Sequence, residues 1–114
     1  MDSILTSIKK LLGIEEDDTH FDPDIIMHIN SVLFILTQIG VGPSTGFTIT
    51  DKTSDWTDFI MDITKTELVK TYVYQKVRLA FDPPINSAVL NSMTQMINEF
   101  EWRLNVSADV PTTT

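Results

Sequence analysis

The sequence predicts an all-α fold: a small bundle of about four to five helices, with a long loop after the second helix and a flexible C-terminal tail. Three observations carry that prediction. Apolar residues recur at three- and four-residue spacing along most of the chain, the mark of one buried helical face. Helix starts and stops (Ser3, Gly13, Asp22-Pro23, Gly40, Asp82-Pro83-Pro84) stand where those stripes begin and end. Strand signals are nearly absent, with only Phe47 to Thr50 alternating apolar and polar.

The first helix is expected over Ser3 to Leu12, where Ile4, Leu5, Ile8, Leu11 and Leu12 share one face. Ser3 is suited to cap it, Lys9 and Lys10 suit the negative end of its dipole, and Gly13 suits the left-handed residue that ends it. The second is expected from Pro23 to about Ile39, with Asp22 as its cap and Gly40 as its stop. Its apolar residues run from Ile25 and Ile26 to Ile35, Leu36 and Ile39 and cover nearly the whole circumference. A helix apolar all round in so small a chain points to shared burial between subunits. The interval from Gly40 to Ser54 is long for a connection, and long loops are usually functional or mobile. Asp55 or Ser54 caps a short turn through Trp56, Phe59 and Ile60. A longer helix follows from Lys65 to Phe81 and ends at Asp82-Pro83-Pro84. Asn86 or Ser87 caps the last helix, which is expected to reach Leu104. Residues 1–106 then form one helical domain and 107–114 a flexible tail.

The bulk composition narrows the function classes. A chain of 114 residues, 42% hydrophobic, holds one domain with a real core. It has no cysteine, which excludes disulfides, Cys-ligated zinc and a thiol nucleophile. The opening Met1-Asp2-Ser3-Ile4-Leu5 lacks the basic region of a signal peptide, and a reducing cytoplasm is the expected compartment. The apolar run Ile25 to Ile39 would span about 22 Å as a helix, short of the roughly 30 Å of a bilayer core. No membrane partner is expected. Net charge is −8, from 16 acids against 8 bases, the reverse of a free-standing nucleic-acid binder.

No residue pattern carries catalysis. The run Glu15 to Asp18, with His20, Asp22 and Asp24 nearby, lacks the alternate-position register of a calcium loop and reads as a solvated loop plus a cap. His20 and His28 are eight residues apart in no metal-binding pattern, and His28 reads as a structural side chain. Gly42-Pro43-Ser44-Thr45-Gly46 is not a nucleophile elbow. Asp55, Asp58 and Asp62 lie at helical spacing and read as a solvated face rather than an acid–base pair. Lys65, Lys70, Lys76 and Arg78, interleaved with Tyr72 and Tyr74, make the fourth helix the one locally basic element. In so acidic a chain that strip is expected to meet an acidic strip on the next subunit of a head-to-tail ring. No catalytic, cofactor or metal site is expected.

The order and spacing of several short segments resemble one family throughout. They are Ile8-Lys9-Lys10-Leu11-Leu12-Gly13-Ile14, Phe21-Asp22 with Asp24-Ile25-Ile26, Asn30-Ser31-Val32, and Gln38 with Gly40-Val41-Gly42. Trp56-Thr57-Asp58-Phe59-Ile60 follows, then Lys70-Thr71-Tyr72-Val73-Tyr74 with Lys76-Val77-Arg78-Leu79 and Phe81-Asp82-Pro83-Pro84. Glu101-Trp102-Arg103-Leu104-Asn105 closes the series. The chain is similar in these segments to the small head–tail connector proteins of long-tailed bacteriophages, also called adaptor or head-completion proteins. The resemblance covers the chain up to about Val106.

That resemblance implies a non-enzymatic, cofactor-free virion protein of four to five helices. It implies a homo-oligomeric ring of about twelve copies beneath the phage portal protein. Such a ring extends the DNA channel without sequence-specific binding and offers a surface to the tail or a stopper protein. The candidate subunit interface comprises Phe34, Trp56, Tyr72, Tyr74, Lys76, Arg78 and Trp102. By resemblance, the C-terminal segment clasps the portal, with Val106, Val110 and Pro111 as candidate contacts, and the Gly40–Ser54 loop faces the channel or the tail side. The competing expectation is a small acidic regulator or DNA mimic that binds a basic host protein. It requires a continuous acidic face, whereas these acids are scattered among loops and caps.

Overall fold

A computed structural model gives the fold; it describes residues 3–108, and the side chains of residues 3–106. Among the described residues it is all-α, with α1 (Ile4–Leu12), α2 (Asp22–Gln38), α3 (Trp56–Phe59), α4 (Ile63–Phe81) and α5 (Ser87–Ala108). α1 has the expected ends. Ser3 Oγ accepts from Thr6 N at 3.2 Å, and Gly13 sits at φ 82°, which lets Ile14 N reach Lys9 O at 2.9 Å.

α2 departs from expectation at its start. Asp22 is the first helical residue rather than the cap, and Phe21 takes the cap position without a side-chain bond. The Asp22 carboxylate is drawn away instead by Lys9, whose ammonium lies 2.9 Å from Oδ1. Gly40 at φ 95° ends α2 and turns Val41 N onto Leu36 O at 2.8 Å, burying Val41.

The stretch from Gly40 to Ser54 forms no strand, yet it is fastened to the body. The Asn30 side chain grips the backbone of Ile49 from both sides: Ile49 N donates to Oδ1 at 2.8 Å and Nδ2 donates to Ile49 O at 3.0 Å. Ile49 is buried, and Phe47 packs edge-on against Phe59. Ile4 N then donates to Ser54 O at 2.9 Å, tying the end of the loop to α1.

α4 starts two residues before the expected Lys65, because Asp62 Oδ1 accepts from Thr64 N at 3.0 Å and caps it. Asn86 caps α5, accepting from Ala88 N at 2.8 Å. α5 continues four residues past Leu104, so Asn105 to Ala108 are helical rather than part of a tail. The rest of the expected tail lies outside the described residues.

α4 is the shared partner of the bundle: it packs on α1, α2 and α5, and α1 also packs on α2. Val69, Val73 and Val77 of α4 are buried in the common core, while Tyr72 and Gln75 contact Glu101 and Met96 of α5. Ile25, Ile29, Leu33 and Leu36 of α2 are wholly buried with Ile4 and Ile8 of α1. Each such side chain contributes about 1.5–3 kcal/mol of hydrophobic stabilisation. The result is a slab of 48 × 35 × 20 Å.

Candidate functional site

Two helix faces are left exposed among the described residues, one on α2 and one on α5. On α2 the buried stripe is Ile25, Ile29, Val32, Leu33 and Leu36. Met27 and Phe34, seven residues apart, stand about half a turn from that stripe. Both are exposed, Phe34 at 61%. On α5 the buried residues are Met93, Ile97 and Leu104, and Trp102 points the opposite way at 65% exposure. Val106, one turn on, is exposed as well. α4 contacts both α2 and α5.

The expected interface residues thus divide. Phe34 and Trp102 lie on the outer edges. Trp56 does not: it is 1% exposed, and its indole Nε1 donates to Ser7 Oγ at 2.8 Å. Tyr72 is equally interior, its hydroxyl donating to Glu101 Oε2 at 2.6 Å. Burial first, then the bond to Glu101 and its charge, push this phenol well above its ordinary range. Both rings belong to the core of a single copy, Trp56 against α1 and Tyr72 between α4 and α5.

Nor is there one basic strip on α4. Lys76 and Arg78, two residues apart, point about 200° apart around the helix. Lys76 emerges beside α2, where it lines a hollow with His28, Val32, Ile35, Leu79 and Ala80. Arg78 emerges on the α1 side beside half-buried Tyr74, with Nη1 3.3 Å from the Tyr74 hydroxyl. Of the candidate portal contacts, Val106 is exposed on α5, whereas Val110 and Pro111 lie outside the described residues.

Several of the acids are occupied locally. Asp18 Oδ1 accepts from His20 N, Asp51 Oδ1 from Thr53 N, Asp58 Oδ2 from Asp55 N, and Asp62 from Thr64 N. The Thr53 and Thr64 bonds hold the Asp51 and Asp62 carboxyls below their usual range. Among the described residues no group of three or more His, Cys, Asp or Glu side chains is placed to hold a metal, and no helix is long and apolar enough to cross a membrane.

Lys9, placed to suit the negative end of the α1 dipole, is only 2% exposed. Its ammonium is held by Glu16 O at 3.0 Å, Asp18 O at 2.7 Å and the Asp22 carboxylate. It pins the acidic Glu15–Asp18 loop across the end of α1. The one sequence signal was its position next to the apolar face, at i+1 from Ile8 and i+4 from Leu5.

A family described as phage connector protein has a model that matches residues 4–111. No curated protein and no solved structure matches the chain.

Proposed function

The chain belongs to the phage connector protein family, and from that premise we propose that copies of it join side by side into a ring at the junction between phage head and tail. Membership itself makes the chain a structural virion component that associates with other head and tail proteins. In the proposed assembly the ring, of about twelve copies, sits beneath the portal protein, extends the DNA channel, and presents its far side to the tail or a stopper protein. The subunit is made in the host cytoplasm and becomes part of the virion on assembly.

The observation that supports this reading is the pair of outward apolar edges on α2 and α5. A ring requires two different, complementary patches on each copy, because each subunit meets a neighbour on either side. A net charge of −8 suits the lining of a conduit, which must pass DNA without holding it. The test is to add the purified chain to purified portal protein and separate the mixture on a gradient. Co-sedimentation, with ring-shaped density on the portal in electron micrographs, is the expected result. Failure to co-sediment, together with failure to restore tail joining to heads that lack this protein, sinks the reading.

A further inference from the structure

We propose that Asn30 is the clasp of a closed strap: by holding both backbone groups of Ile49 it keeps the Gly40–Ser54 connection in one shape in the single copy, and without it residues 48–53 open while the helices stay folded. Ile49 N donates to Asn30 Oδ1 at 2.8 Å, and Asn30 Nδ2 donates to Ile49 O at 3.0 Å. Ile49 is 1% exposed and lies in no strand, so the carboxamide takes the place of the partner backbone that a sheet would supply. Few side chains can do this. Asp has no donor for the carbonyl, and Gln carries its amide one methylene further out.

Three of the segments singled out in the sequence meet on this strap. Asn30 opens Asn30-Ser31-Val32, Gly42 ends Gly40-Val41-Gly42, and Phe59 belongs to Trp56-Thr57-Asp58-Phe59-Ile60. Val41 is buried, and Gly42 comes so close to Phe59 that an added Cβ would lie 2.5 Å from its ring. Phe47 packs edge-on against the same ring, with centroids 5.5 Å apart. Apolar packing thus fixes residues 41–47. The far end is fixed at Ser54, whose carbonyl accepts from Ile4 N at 2.9 Å. Between these anchors Thr48 and residues 50–53 are exposed, and Asn30 holds the middle. Met27, Asn30 and Phe34 share one side of α2. Met27 and Phe34 are exposed, so the clasp stands at the rim of the helix packing, and undoing it spares the buried stripe of α2. A connection held this way meets a partner already ordered and loses little conformational freedom on binding. The clasp acts within one copy, so it stands apart from the ring proposed above.

Lys52, exposed in the strap, gives the test. Trypsin needs an extended run of chain about the bond it cuts, so cleavage after Lys52 reads opening of the strap, whereas cleavage after Lys76 or Arg78, within α4, reads unfolding of the bundle. In the parent chain Lys52 is expected to resist, and the Ile49 amide to exchange with solvent as slowly as the amides of α2. Asn30→Ala is expected to be cut after Lys52 at least about tenfold faster, with no matching rise at Lys76 or Arg78 and with helix content unchanged. Asn30→Asp, which keeps an acceptor for Ile49 N but lacks the donor, is expected to fall between the two. Three results overturn the proposal: rapid exchange of the Ile49 amide in the parent, cleavage after Lys52 as fast in the parent as in Asn30→Ala, or a rise at Lys52 that comes only together with cleavage in α4. In the last case Asn30 supports the whole bundle rather than the strap.

Discussion

The Lys9 ammonium and the Asp22 carboxylate, 2.9 Å apart, join the end of α1 to the start of α2 across thirteen residues of chain. Lys9 is buried and also takes the carbonyls of Glu16 and Asp18, so it has three oxygen partners. Removing one partner of a buried pair leaves the other without compensation, which commonly costs about 3–5 kcal/mol. Asp22 keeps some solvent, so Lys9→Met is expected to cost about 3 kcal/mol in a denaturant titration. Adding Asp22→Asn is expected to recover part of that loss. A Lys9→Met variant as stable as the parent would show that the pin carries no net stability.

Tyr72 and Glu101 connect the two sides of the α4–α5 layer through one 2.6 Å bond. The folded phenol resists ionisation, so its stabilisation is complete below the ordinary tyrosine pKa near 10 and is lost as pH rises above it. Tyr72→Phe is expected to cost about 1–2 kcal/mol at neutral pH. Its stability is expected to fall less steeply than the parent's above pH 10, as followed by urea midpoints across that range.

Gln75 presents the opposite case. Its Nε2 donates to Met96 Sδ at 3.7 Å, but its buried Oε1 has no hydrogen-bond partner. Replacing a buried, half-satisfied amide with an apolar side chain of similar length is often neutral or stabilising. Gln75→Met is expected to hold or raise the unfolding free energy, by up to about 1 kcal/mol.

Gly42 and Gly46 separate backbone strain from crowding within one loop. Both have positive φ, +85° and +94°. An added Cβ at Gly42 falls 2.5 Å from Phe59 Cε1, whereas one at Gly46 meets nothing within 4 Å. Gly46→Ala is expected to cost the left-handed penalty alone, about 1–2 kcal/mol. Gly42→Ala is expected to cost clearly more in the same thermal melt, because the Phe59 ring, part of the core, must shift.

The two tryptophans report opposite environments. Trp56 is buried and hydrogen-bonded to Ser7, whereas Trp102 faces solvent. The Trp102→Phe variant is expected to emit at shorter wavelength than the parent and to resist iodide quenching. The Trp56→Phe variant is expected to emit at longer wavelength and to quench readily, with a loss of stability that Trp102→Phe does not share. Assembly at high concentration is expected to shift only the Trp102 signal.

The helices were legible in the sequence because the forces that define them are local. Ser3 and Gly13 bracket α1, Gly40 stops α2, Asp82-Pro83-Pro84 stops α4 and Asn86 starts α5, each by acting on backbone groups within a few residues. The family resemblance was equally a property of the string. What the string left open was which residues at equal spacing meet another element. Trp56 and Trp102 are both flanked by polar residues in the sequence, yet one fills the α1 contact and the other faces outward. Lys9 and Lys10 are adjacent and chemically identical, but only Lys9 falls where three oxygens converge from residues 16 to 22. The packing of α5 on α4 buried Tyr72. Periodicity fixes which residues share a face of a helix; only the packing of one helix on another settles whether that face is covered, by what, and which face remains for a neighbour.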